Sequence, residues 1–519
     1  MRRHIRWLIT SLVVLIAAVS VVELLRGRDT GEEGPSIRFC GAARTVGGSC
    51  LLVEHVGARF IIDCGALGEQ EAGSLPPEPD SLDFAILTHA HIDHCGLLPQ
   101  LFEAGFRGPV YCTRGTADLV PVMLGMMRGI SRENMARETF DRCLESLVPV
   151  PFGETVTERS VSFRFMRVEH LLGAASVDLE FPCGVDTVSL VVSGDIGAGN
   201  SVLLPGIERP ARADYVVMES TYGGTARDTS PVNEPVGHES FARAVGEALR
   251  EGGDVLIPSF TLGRTQEAMA VIDMFIRAGV IPSGTEVFVD SPTARRITDI
   301  YRRNKAELSR WAFEAYPGEA LRYPTLREVR SRTSMKVHAR KHVPTIFLTS
   351  SGDCEHANAP RHLMRMFTDS VHLLCFIGWQ APGSLGARLL AGESPVLVRH
   401  QEGNTFREDW ITPSIRVKRF DSFSGHADSG GLLEWLEGAR NARRVFLVHG
   451  EERQALALAQ SIRAAFGIEV TVPRRGDGFV LSPRRGARLR TLEASPSDTT
   501  GTVMDSAVPI SDGEYEGAE

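Results

Sequence analysis

The sequence has no C-x-x-C pair, no evident internal repeat and no excess of positive charge. Its nine cysteines are an odd number and mostly lie in or beside apolar runs, so we expect buried thiols and not a disulfide framework. Lysine and arginine total 56 against 65 for aspartate and glutamate. The resulting net charge of −9 argues against a generally basic, nucleic-acid-coating protein, although a local patch can differ from the total.

The chain is long and apolar enough for more than one packed domain. With 519 residues, 43% of them hydrophobic and 23% charged, it has the composition of neither a disordered nor a fibrous protein. Strand-like runs such as ARFIIDCG and FAILTHA alternate with helical patterns such as GLLPQLFEAG, which predicts sheets covered by helices in an α/β layered fold. A second series of strand and helix patterns begins at Gly237 and predicts a second α/β domain with a parallel sheet.

The N-terminus reads MRRHIRWLITSLVVLIAAVSVVELLRGR, with arginines on both sides of an apolar run from Trp7 to Val22. This run is short for a bilayer-spanning helix, which needs roughly 20 residues, but Leu24 and Leu25 can extend it. We therefore predict a single-pass membrane anchor over residues 1–28 and a membrane-anchored localisation, with the side of the membrane undetermined. A cleaved signal peptide with export, and a misassigned start codon or plain N-terminal helix, are the alternatives.

The stretch THAHIDHCG, residues 88–96, places three histidines and one aspartate within six residues. It follows a predicted strand and begins a predicted helix, at the sheet edge where α/β folds bind ligands. A lone histidine on an apolar face is usually structural, whereas four ligand-type side chains in the pattern H-x-H-x-D-H suit zinc. The stretch therefore predicts a metal site.

His170, Asp195 and His449 each end an apolar run with strand character. Taken singly, each is more often a satisfied polar residue than a ligand. Together they supply what the histidine stretch lacks, since two metal ions need roughly seven ligands including a bridging carboxylate. Paired metal ions activate a water and stabilise the attacking and leaving oxygens of an in-line displacement, which is phosphodiester chemistry.

Nine motifs carry a resemblance to a known family. THAHIDHCG, EH at 169–170 and SGDIG resemble the metallo-β-lactamase hydrolase fold. ESTYG, PSFTLGRTQE, DSP, SSG, FSGHAD and LVHGEE resemble its β-CASP branch. That branch contains the nucleases of messenger-RNA 3′-end processing and bacterial nucleases of RNA metabolism. The resemblance runs from about Ile37 to Ser482, nearly the whole chain after the N-terminal segment.

The resemblance implies an α/β fold, a metallo-β-lactamase αββα sandwich with an inserted β-CASP α/β domain, preceded here by an N-terminal transmembrane helix. The lactamase domain would occupy residues 37–222, the β-CASP domain would interrupt it over residues 223–415, and residues 416–482 would complete it. We expect a linker at residues 29–36 and a disordered acidic tail at residues 483–519.

By the resemblance, the cofactors are two Zn²⁺ ions held by seven residues. The first zinc would be held by His89, His91 and His170. The second would be held by Asp93, His94 and His449. Asp195 would bridge the two ions.

Three further residues match family positions with a role in catalysis. Asp63 in FIIDCG matches the supporting aspartate that orients the histidine stretch. Glu219 and His426 match the pair that delivers a proton to the leaving oxygen, and we predict them as catalytic together with the bridging Asp195. A glutamate held against an imidazole keeps it protonated, so that the imidazolium can act as a general acid. A structural turn histidine is the alternative interpretation of His426.

Histidine at position 449 also bears on the substrate, because RNA-directed members of the branch resemble this chain there whereas DNA-repair members have valine. The resemblance therefore implies RNA as the partner. Two basic stretches of the insertion, TARRITDIYRRNKAELSRW and LREVRSRTSMKVHARKHV, can hold phosphates, although a solvated helix face explains them equally well. Substrate phosphates are also predicted to contact Ser350, Ser351, Gly352 and Arg264.

The chain departs from the family pattern in two places besides its N-terminus. Glu169 precedes the motif histidine where relatives usually have glycine. DCEHANAP at residues 353–360 follows SSG where relatives are rich in methionine and glycine. We expect this loop, with His356, to influence which RNA is accepted.

The leading hypothesis is a membrane-anchored, zinc-dependent phosphodiesterase that hydrolyses RNA as an endonuclease, an exonuclease or both. The competing hypotheses are a hydrolase of a non-nucleic-acid ester, a DNA-directed nuclease, and a non-enzymatic scaffold. FSGHAD and VHGEE argue against another ester, and the complete ligand set argues against a scaffold. The polarity of cleavage and the oligomeric state stay undetermined by the sequence.

Overall fold

The computed structural model describes residues 34–67, 75–130, 137–227, 237–329, 343–402, 405–483 and 490–492. The strands, in chain order, are β1 Ser36–Phe39, β2 Leu51–His55, β3 Ala58–Ile62, β4 Phe84–Ile86, β5 Val110–Cys112, β6 Leu147–Pro149, β7 Val156–Glu158, β8 Val161–Arg167, β9 Ala175–Cys183, β10 Asp186–Val192, β11 Tyr215–Glu219, β12 Val255–Pro258, β13 Glu286–Asp290, β14 Leu326–Glu328, β15 Thr345–Thr349, β16 Leu373–Phe376, β17 Val396–Glu402, β18 Thr405–Ile411, β19 Arg416–Arg419, β20 Arg444–Val448, β21 Glu469–Thr471, β22 Gly478–Val480 and β23 Arg490–Leu492.

The α-helices, in chain order, are α1 Ile92–Cys95, α2 Leu98–Glu103, α3 Arg114–Ile130, α4 Arg137–Glu145, α5 Glu239–Arg250, α6 Arg264–Arg277, α7 Pro292–Arg303, α8 Arg310–Ala315, α9 Ala359–Met366, α10 Leu385–Leu390, α11 Ser429–Leu436 and α12 Glu452–Phe466.

Two sheets face each other and enclose an aromatic core. One has the strand order β23-β22-β1-β2-β3-β4-β5-β6 and the other the order β21-β20-β11-β10-β9-β8-β7. The rings of Phe60 and Phe84 stack with their centroids 4.4 Å apart, and Phe84 reaches Phe163 of the opposite sheet at 6.2 Å. Because buried aromatic rings remove large apolar areas from water, this layer is the main attraction between the sheets.

Residues from the end of the chain complete both sheets. β22 pairs antiparallel with β1, so that Val480 lies opposite Ser36. β20 pairs in parallel with β11, so that Val448 lies opposite Glu219. The strands between β11 and β20 belong to neither of these sheets, and they therefore form an insertion.

Helices cover the outer faces of the two sheets. On the β20 side, Trp435 of α11 and Leu458 of α12 pack with Met218 of β11 in one apolar cluster. On the β4 side, Leu98 and Leu101 of α2 belong to the largest apolar cluster. The layers are thus α, β, β and α, as the sequence motifs predict.

The insertion is built on a third sheet of six parallel strands. Its order is β14-β13-β15-β12-β16-β19. Residues of α5, α6 and α7 contribute to the apolar cluster on one face of this sheet, and residues of α9 and α10 contribute to a separate cluster on the other. The antiparallel hairpin of β17 and β18 packs beside the second cluster through Val396 and Val398. This is the second α/β domain that the βα pattern predicts.

The insertion packs firmly on the sandwich. One continuous apolar cluster contains both Leu119 of α3 and Ile272 of α6. Polar contacts reinforce it, because the carboxylate of Glu267 accepts hydrogen bonds from the backbone N–H of Val202 and the hydroxyl of Ser201, each at 2.6 Å. A cleft between the two parts is therefore bounded by packed walls on both sides.

The predicted transmembrane helix is corrected by the structure. In the described part of the chain no helix is long and apolar enough to cross a bilayer. The longest, α3, has 17 residues with Pro121 inside it, whereas a span needs roughly 20 apolar residues. The transmembrane helix is therefore removed from the fold class, and the membrane-anchored localisation and the membrane partner are withdrawn with it. Residues 1–28, on which that prediction rested, lie outside the described residues.

Other predictions fall partly outside the described residues. The second basic stretch continues through residues 330–342, which lie outside, as do residues 29–33 of the linker and residues 484–489 and 493–519 of the acidic tail. The last linker residue, Ser36, belongs to β1. Within the tail, β23 pairs with β22. The domain boundaries stay a prediction. Strand pairing places β19, at the start of the predicted segment 416–482, in the third sheet of the insertion.

Replacing Phe84 by alanine removes a ring that is 0% exposed from between the two sheets. We expect the free energy of unfolding of the full chain to fall by about 3–5 kcal/mol, because the substitution leaves a cavity. Urea unfolding followed by circular dichroism measures this change. The matched control is Phe406→Ala, at a ring that is 49% exposed on the hairpin. Equal losses in the two variants would contradict a core role for Phe84.

Candidate metal centre and active site

The histidine stretch lies in a tight turn at the carboxyl end of β4. Helix α1 begins directly after His91, whose backbone is extended. The Ser49 backbone N–H donates to the Asp93 carbonyl at 2.8 Å and holds the turn against the loop between β1 and β2. A Cβ on Gly65 would lie 1.7 Å from the same carbonyl oxygen, so only glycine permits this approach.

Asp63 sets the proton position on two of the histidines. Its carboxylate accepts from the backbone N–H and the hydroxyl of Thr88, each at 2.8 Å. Because that hydroxyl donates to Asp63, its oxygen accepts from His89 Nδ1 at 3.0 Å. His94 Nδ1 donates to Asp63 directly at 2.8 Å. In their neutral forms both imidazoles therefore carry the proton on Nδ1 and turn Nε2 toward the cluster.

His89, His91 and His170 form the first group of converging nitrogens. His91 Nδ1 lies 3.2 Å from His89 Nε2 and 2.9 Å from His170 Nε2. His170 Nδ1 lies 2.6 Å from the Gly425 carbonyl, which can only accept, so that its Nε2 is also a lone pair. Three nitrogens that face one another in this way have the arrangement of ligands around a cation.

Asp93, His94 and His449 form the second group of candidate ligands. His449 Nε2 lies 3.1 Å from Asp93 Oδ2, and the Thr221 hydroxyl lies 3.1 Å from His449 Nδ1. His449 follows β20 in the left-handed backbone region, with φ at 46°, which turns the chain sharply at the strand end. This strand end lies beside the histidine turn because β20 and β4 end on the same side of the sandwich.

Asp195 lies between the two groups and turns one oxygen toward each. Its Oδ2 is 3.4 Å from His89 Nε2 and 3.6 Å from His170 Nε2. Its Oδ1 is 3.4 Å from both His94 Nε2 and His449 Nδ1. The carboxylate is buried, and Oδ1 has no hydrogen-bond partner.

An unpartnered buried carboxylate oxygen is costly, and a cation on each side of Asp195 would satisfy both of its oxygens. The donors are imidazole nitrogens and carboxylate oxygens, the set that zinc and similar divalent ions prefer. The residues therefore fit a divalent metal centre.

Burial and neighbouring charges shift the pKa values of the candidate ligands in different directions. Burial lowers the pKa of His89 and of His170, and it lowers the pKa of His91 to about 4. These three imidazoles are therefore neutral at pH 7, as a metal ligand has to be. Around Asp93, burial acts to raise the pKa, but the hydrogen bond from His449 and the charge of His94 hold it below its usual value. Burial also acts to lower the pKa of His94 and of His449, but the charge of Asp195 raises it above the usual value, so metal binding at the second group would displace protons from these imidazoles.

Glu219 and His426 lie together at the edge of this cluster. His426 Nδ1 is 3.2 Å from each carboxylate oxygen of Glu219 and 4.0 Å from Asp195 Oδ2. The Glu219 side chain is fully buried, whereas the His426 side chain is 20% exposed. Glu219 also accepts from the Ile196 backbone N–H at 2.6 Å and so supports the loop that carries Asp195. His426 is thus the member of the pair that solvent or a substrate can reach.

The residues predicted to contact phosphates lie on the insertion. Arg264, at the start of α6, is half-buried, and its guanidinium donates to the Phe423 carbonyl just before the His426 turn. Ser350 and Ser351 follow β15, where the Ser351 hydroxyl donates to Asp353 at 2.5 Å and accepts from the His356 backbone N–H. We call the seven candidate ligands the metal cluster: His89, His91, Asp93, His94, His170, Asp195 and His449. The structure brings Arg264 to the metal cluster and leaves the serines on the neighbouring sheet edge.

The departure at Glu169 has a structural counterpart. Its backbone is left-handed, with φ at 58°, the region that favours glycine. Its side chain lines the cleft between sandwich and insertion together with His238 and Glu267, and it accepts from the Ser201 backbone N–H. Burial raises the pKa of Glu169 to about 8.

Sequence motifs missed three groups that orient the predicted ligands. The Thr88 hydroxyl links Asp63 to His89 through two hydrogen bonds. The Thr221 hydroxyl contacts His449, and the Gly425 carbonyl accepts from His170. Thr88 directly precedes the candidate ligand His89, and Thr221 stands in the motif ESTYG two residues after Glu219, so their places in these motifs were the available signal. The role of the Gly425 carbonyl has no signal in side-chain identity.

Comparisons with protein families divide the chain into three matched segments. The family described as "Metallo-beta-lactamase superfamily" matches residues 43–133 and "Beta-Casp domain" matches residues 265–389. "Zn-dependent metallo-hydrolase RNA specificity domain" matches residues 412–473, which carry His426 and His449. The matches follow the chain order of sandwich, insertion and completion.

Curated relatives cover most of the chain. Ribonuclease TTHA0252 of Thermus thermophilus is 34% identical over 449 residues, which are 84% of this chain and 98% of the relative. Transcription termination factor FttA of Methanocaldococcus jannaschii is 31% identical over 469 residues, 86% of this chain and 72% of the relative. A crystal structure of a protein of unknown function from Enterococcus faecalis V583 has a TM-score of 0.50 at 13% identity and covers 86% of this chain and 100% of that one. This last likeness concerns the fold alone.

Asp63→Asn keeps the shape of the side chain but removes the charge that holds Thr88 and His94. We expect the affinity of the full chain for divalent metal to fall on the order of 10- to 100-fold, because the ligand imidazoles lose their fixed orientation. Competition with a chromophoric chelator measures the affinity, and circular dichroism checks folding. The matched control is Asp178→Asn, which removes an ion pair with Arg164 on the sheet surface. An unchanged affinity in Asp63→Asn would refute the orienting role.

Proposed function

Because the chain belongs to the β-CASP branch of the metallo-β-lactamase superfamily and is a metal-dependent hydrolase of phosphodiester bonds, we propose that it cleaves RNA with two zinc ions. The zinc ligands of this proposal are His89, His91 and His170 for one ion and Asp93, His94 and His449 for the other, with Asp195 between them. Cleavage is endonucleolytic, exonucleolytic or both.

The position of Asp195 carries the proposal. Each of its oxygens faces a separate group of imidazoles at 3.4–3.6 Å, and Oδ1 has no other partner. A carboxylate shared in this way suits two cations and not one. When bound, two such ions supply Lewis acidity that lowers the pKa of water and offsets charge on the phosphate.

RNA is favoured as the substrate by the relatives and by the RNA specificity description that matches residues 412–473. That segment contributes His426 and His449, so the part of the chain with this description also supplies part of the reaction site. Basic residues of α7 support the same conclusion. Arg295, Arg296 and Arg303 lie there on partly or fully exposed positions, where they can attract a phosphate backbone.

The His426 and Glu219 pair provides the proton for the leaving group in this proposal. The Glu219 carboxylate holds the His426 proton on Nδ1, which leaves Nε2 for the substrate. A protonated His426 donates from Nε2 to the leaving oxygen and becomes neutral, and the oxygen departs as a hydroxyl. The Ile196 backbone N–H holds the Glu219 carboxylate in position beside His426.

His426→Ala removes the proton donor and leaves the proposed metal ligands in place. We expect kcat for RNA cleavage to fall roughly 10²- to 10⁴-fold with an unchanged metal content. His426 is a cleaner site for this test than Glu219, because Glu219 also supports the Asp195 loop. The matched control is His400→Ala, on the hairpin away from the sandwich. Retained kcat in His426→Ala would exclude the proton-donor role.

The proposed function itself is tested on the purified full chain with zinc measured by mass spectrometry. We expect two zinc ions per chain, cleavage of end-labelled single-stranded RNA, weaker cleavage of the same DNA sequence, and loss of activity on chelation that zinc restores. His89→Ala is expected to lower the metal content and abolish cleavage. Bound zinc with no cleavage of RNA would overturn the ribonuclease proposal, and equal rates on DNA would overturn the RNA preference. Faster hydrolysis of a generic carboxylic ester than of RNA would favour the competing esterase hypothesis.

A further inference from the structure

Two exposed aromatic side chains lie at the carboxyl edge of the third sheet. Phe260 comes two residues after the end of β12, and Trp379 comes three residues after the end of β16. Their exposures are 47% and 51%, although large aromatic side chains are normally buried in soluble proteins. Neither is needed to complete an apolar cluster of the described residues. Their exposure therefore needs another explanation.

This edge is where a parallel sheet binds ligands. The chain moves from β12 outward to β13 and β14, returns through β15, and then continues on the other side of β12 to β16 and β19. In open α/β sheets ligands bind outside the carboxyl ends of the strands at such a reversal. Phe260, the Ser350–Gly352 loop and Trp379 follow the three adjacent strands at that point, β12, β15 and β16.

Two glycines shape the surface under Phe260. A Cβ on Gly352 would lie 3.4 Å from the Phe260 ring, and a Cβ on Gly378 would lie 3.2 Å from it. The ring therefore rests on bare backbone on one side and is open on the other. Gln380 ties the neighbouring loops together, because its side-chain amide donates to the carbonyls of Gly352 and Gly378 at 3.0 and 3.2 Å. The aromatic surface is thus braced and not a loose loop tip.

The same surface is connected to the metal cluster by a short series of contacts. Phe260 precedes Arg264 by four residues, and its carbonyl accepts from Thr265, which holds the turn. Arg264 donates to the Phe423 carbonyl, and Gly425, two residues later, accepts from His170. The sheet edge is therefore linked to the candidate metal centre through one turn of the insertion and the segment that carries Gly425.

We propose that Phe260 and Trp379 form an aromatic platform that stacks unpaired nucleobases of the RNA substrate, an inference that rests on the proposed ribonuclease function. Open aromatic faces beside a phosphate-cleaving centre suit bases, because every base has a π-face and stacking does not require a particular sequence. Paired bases are already stacked on their neighbours, so the platform selects single-stranded RNA. The metal cluster handles the phosphate, and the platform holds the bases on one side of it.

The platform is tested with Trp379→Ala and Phe260→Ala in the full chain. The matched controls are Trp410→Ala and Phe406→Ala, which remove rings at least as exposed from the hairpin. We expect KM for single-stranded RNA to rise ~10-fold for each platform variant, since a stacked base contributes on that order. Zinc content and the rate on bis(p-nitrophenyl) phosphate, which has no base, are expected to match wild type in all four variants.

Conservative variants separate stacking from simple apolar contact. We expect Trp379→Tyr to retain most of the wild-type KM, and Trp379→Leu to behave like Trp379→Ala, because leucine has no π-face. Unchanged KM in both alanine variants, or leucine as good as tyrosine, would overturn the platform and leave the ribonuclease function standing. If the wild-type chain cleaves bis(p-nitrophenyl) phosphate but neither binds nor cleaves RNA, the ribonuclease function fails and the platform fails with it.

Discussion

The metal cluster depends on hydrogen bonds made by the outer atoms of its histidines. Imidazole lone pairs and carboxylates that point at one another repel, so each ring has to be held from behind. Asp63 holds His94 directly and His89 through Thr88, and the Gly425 carbonyl holds His170. These supports come from the end of β3, the end of β4 and the segment after the insertion. The folding of the sandwich therefore creates the ligand geometry before any ion is considered.

The insertion contributes to this geometry although it supplies none of the proposed ligands. Arg264 donates to the Phe423 carbonyl, and the same short segment carries the Gly425 carbonyl and His426. Because the shared apolar cluster and the Glu267 contacts hold the insertion in place, the segment is supported from the far side of the cleft. A substitution at Arg264 would thus act on the position of His170 and His426, and a lost phosphate contact is not required to explain its effect.

The sandwich and the sheet edge of the insertion offer different chemistry to a polynucleotide. The sandwich side has buried carboxylates, a group of imidazoles and one partly exposed histidine, which suits charge and proton transfer at a phosphate. The sheet edge of the insertion has open aromatic rings on a glycine-lined surface, which suits flat bases. A single strand that lies across both would be held by its bases and cut at its backbone. This division explains why the edge of the insertion keeps Phe260 and Trp379 exposed.

The sequence by itself determined the α/β layers and the second α/β series, because hydrophobic pattern is a local property, and the resemblance of its motifs to a family implied the insertion and the ligand set. His89, His91, Asp93 and His94 could be read from one turn, and the motifs around His170, Asp195 and His449 supplied the rest. The predicted N-terminal transmembrane helix was wrong as part of this fold, since no helix of the described residues is long and apolar enough to cross a bilayer. An apolar run in the sequence indicates low polarity, but it does not by itself specify a transmembrane helix.

Only the tertiary structure decided which atoms face one another. The separate directions of the two Asp195 oxygens, the Thr88 relay and the Gly425 carbonyl depend on strand ends that are 25 to 255 residues apart in the chain. The same holds for the meeting of Phe260 with Gly352 and Gly378 at one sheet edge. Backbone groups and long-range contacts leave little trace in residue identity, because their positions follow from packing.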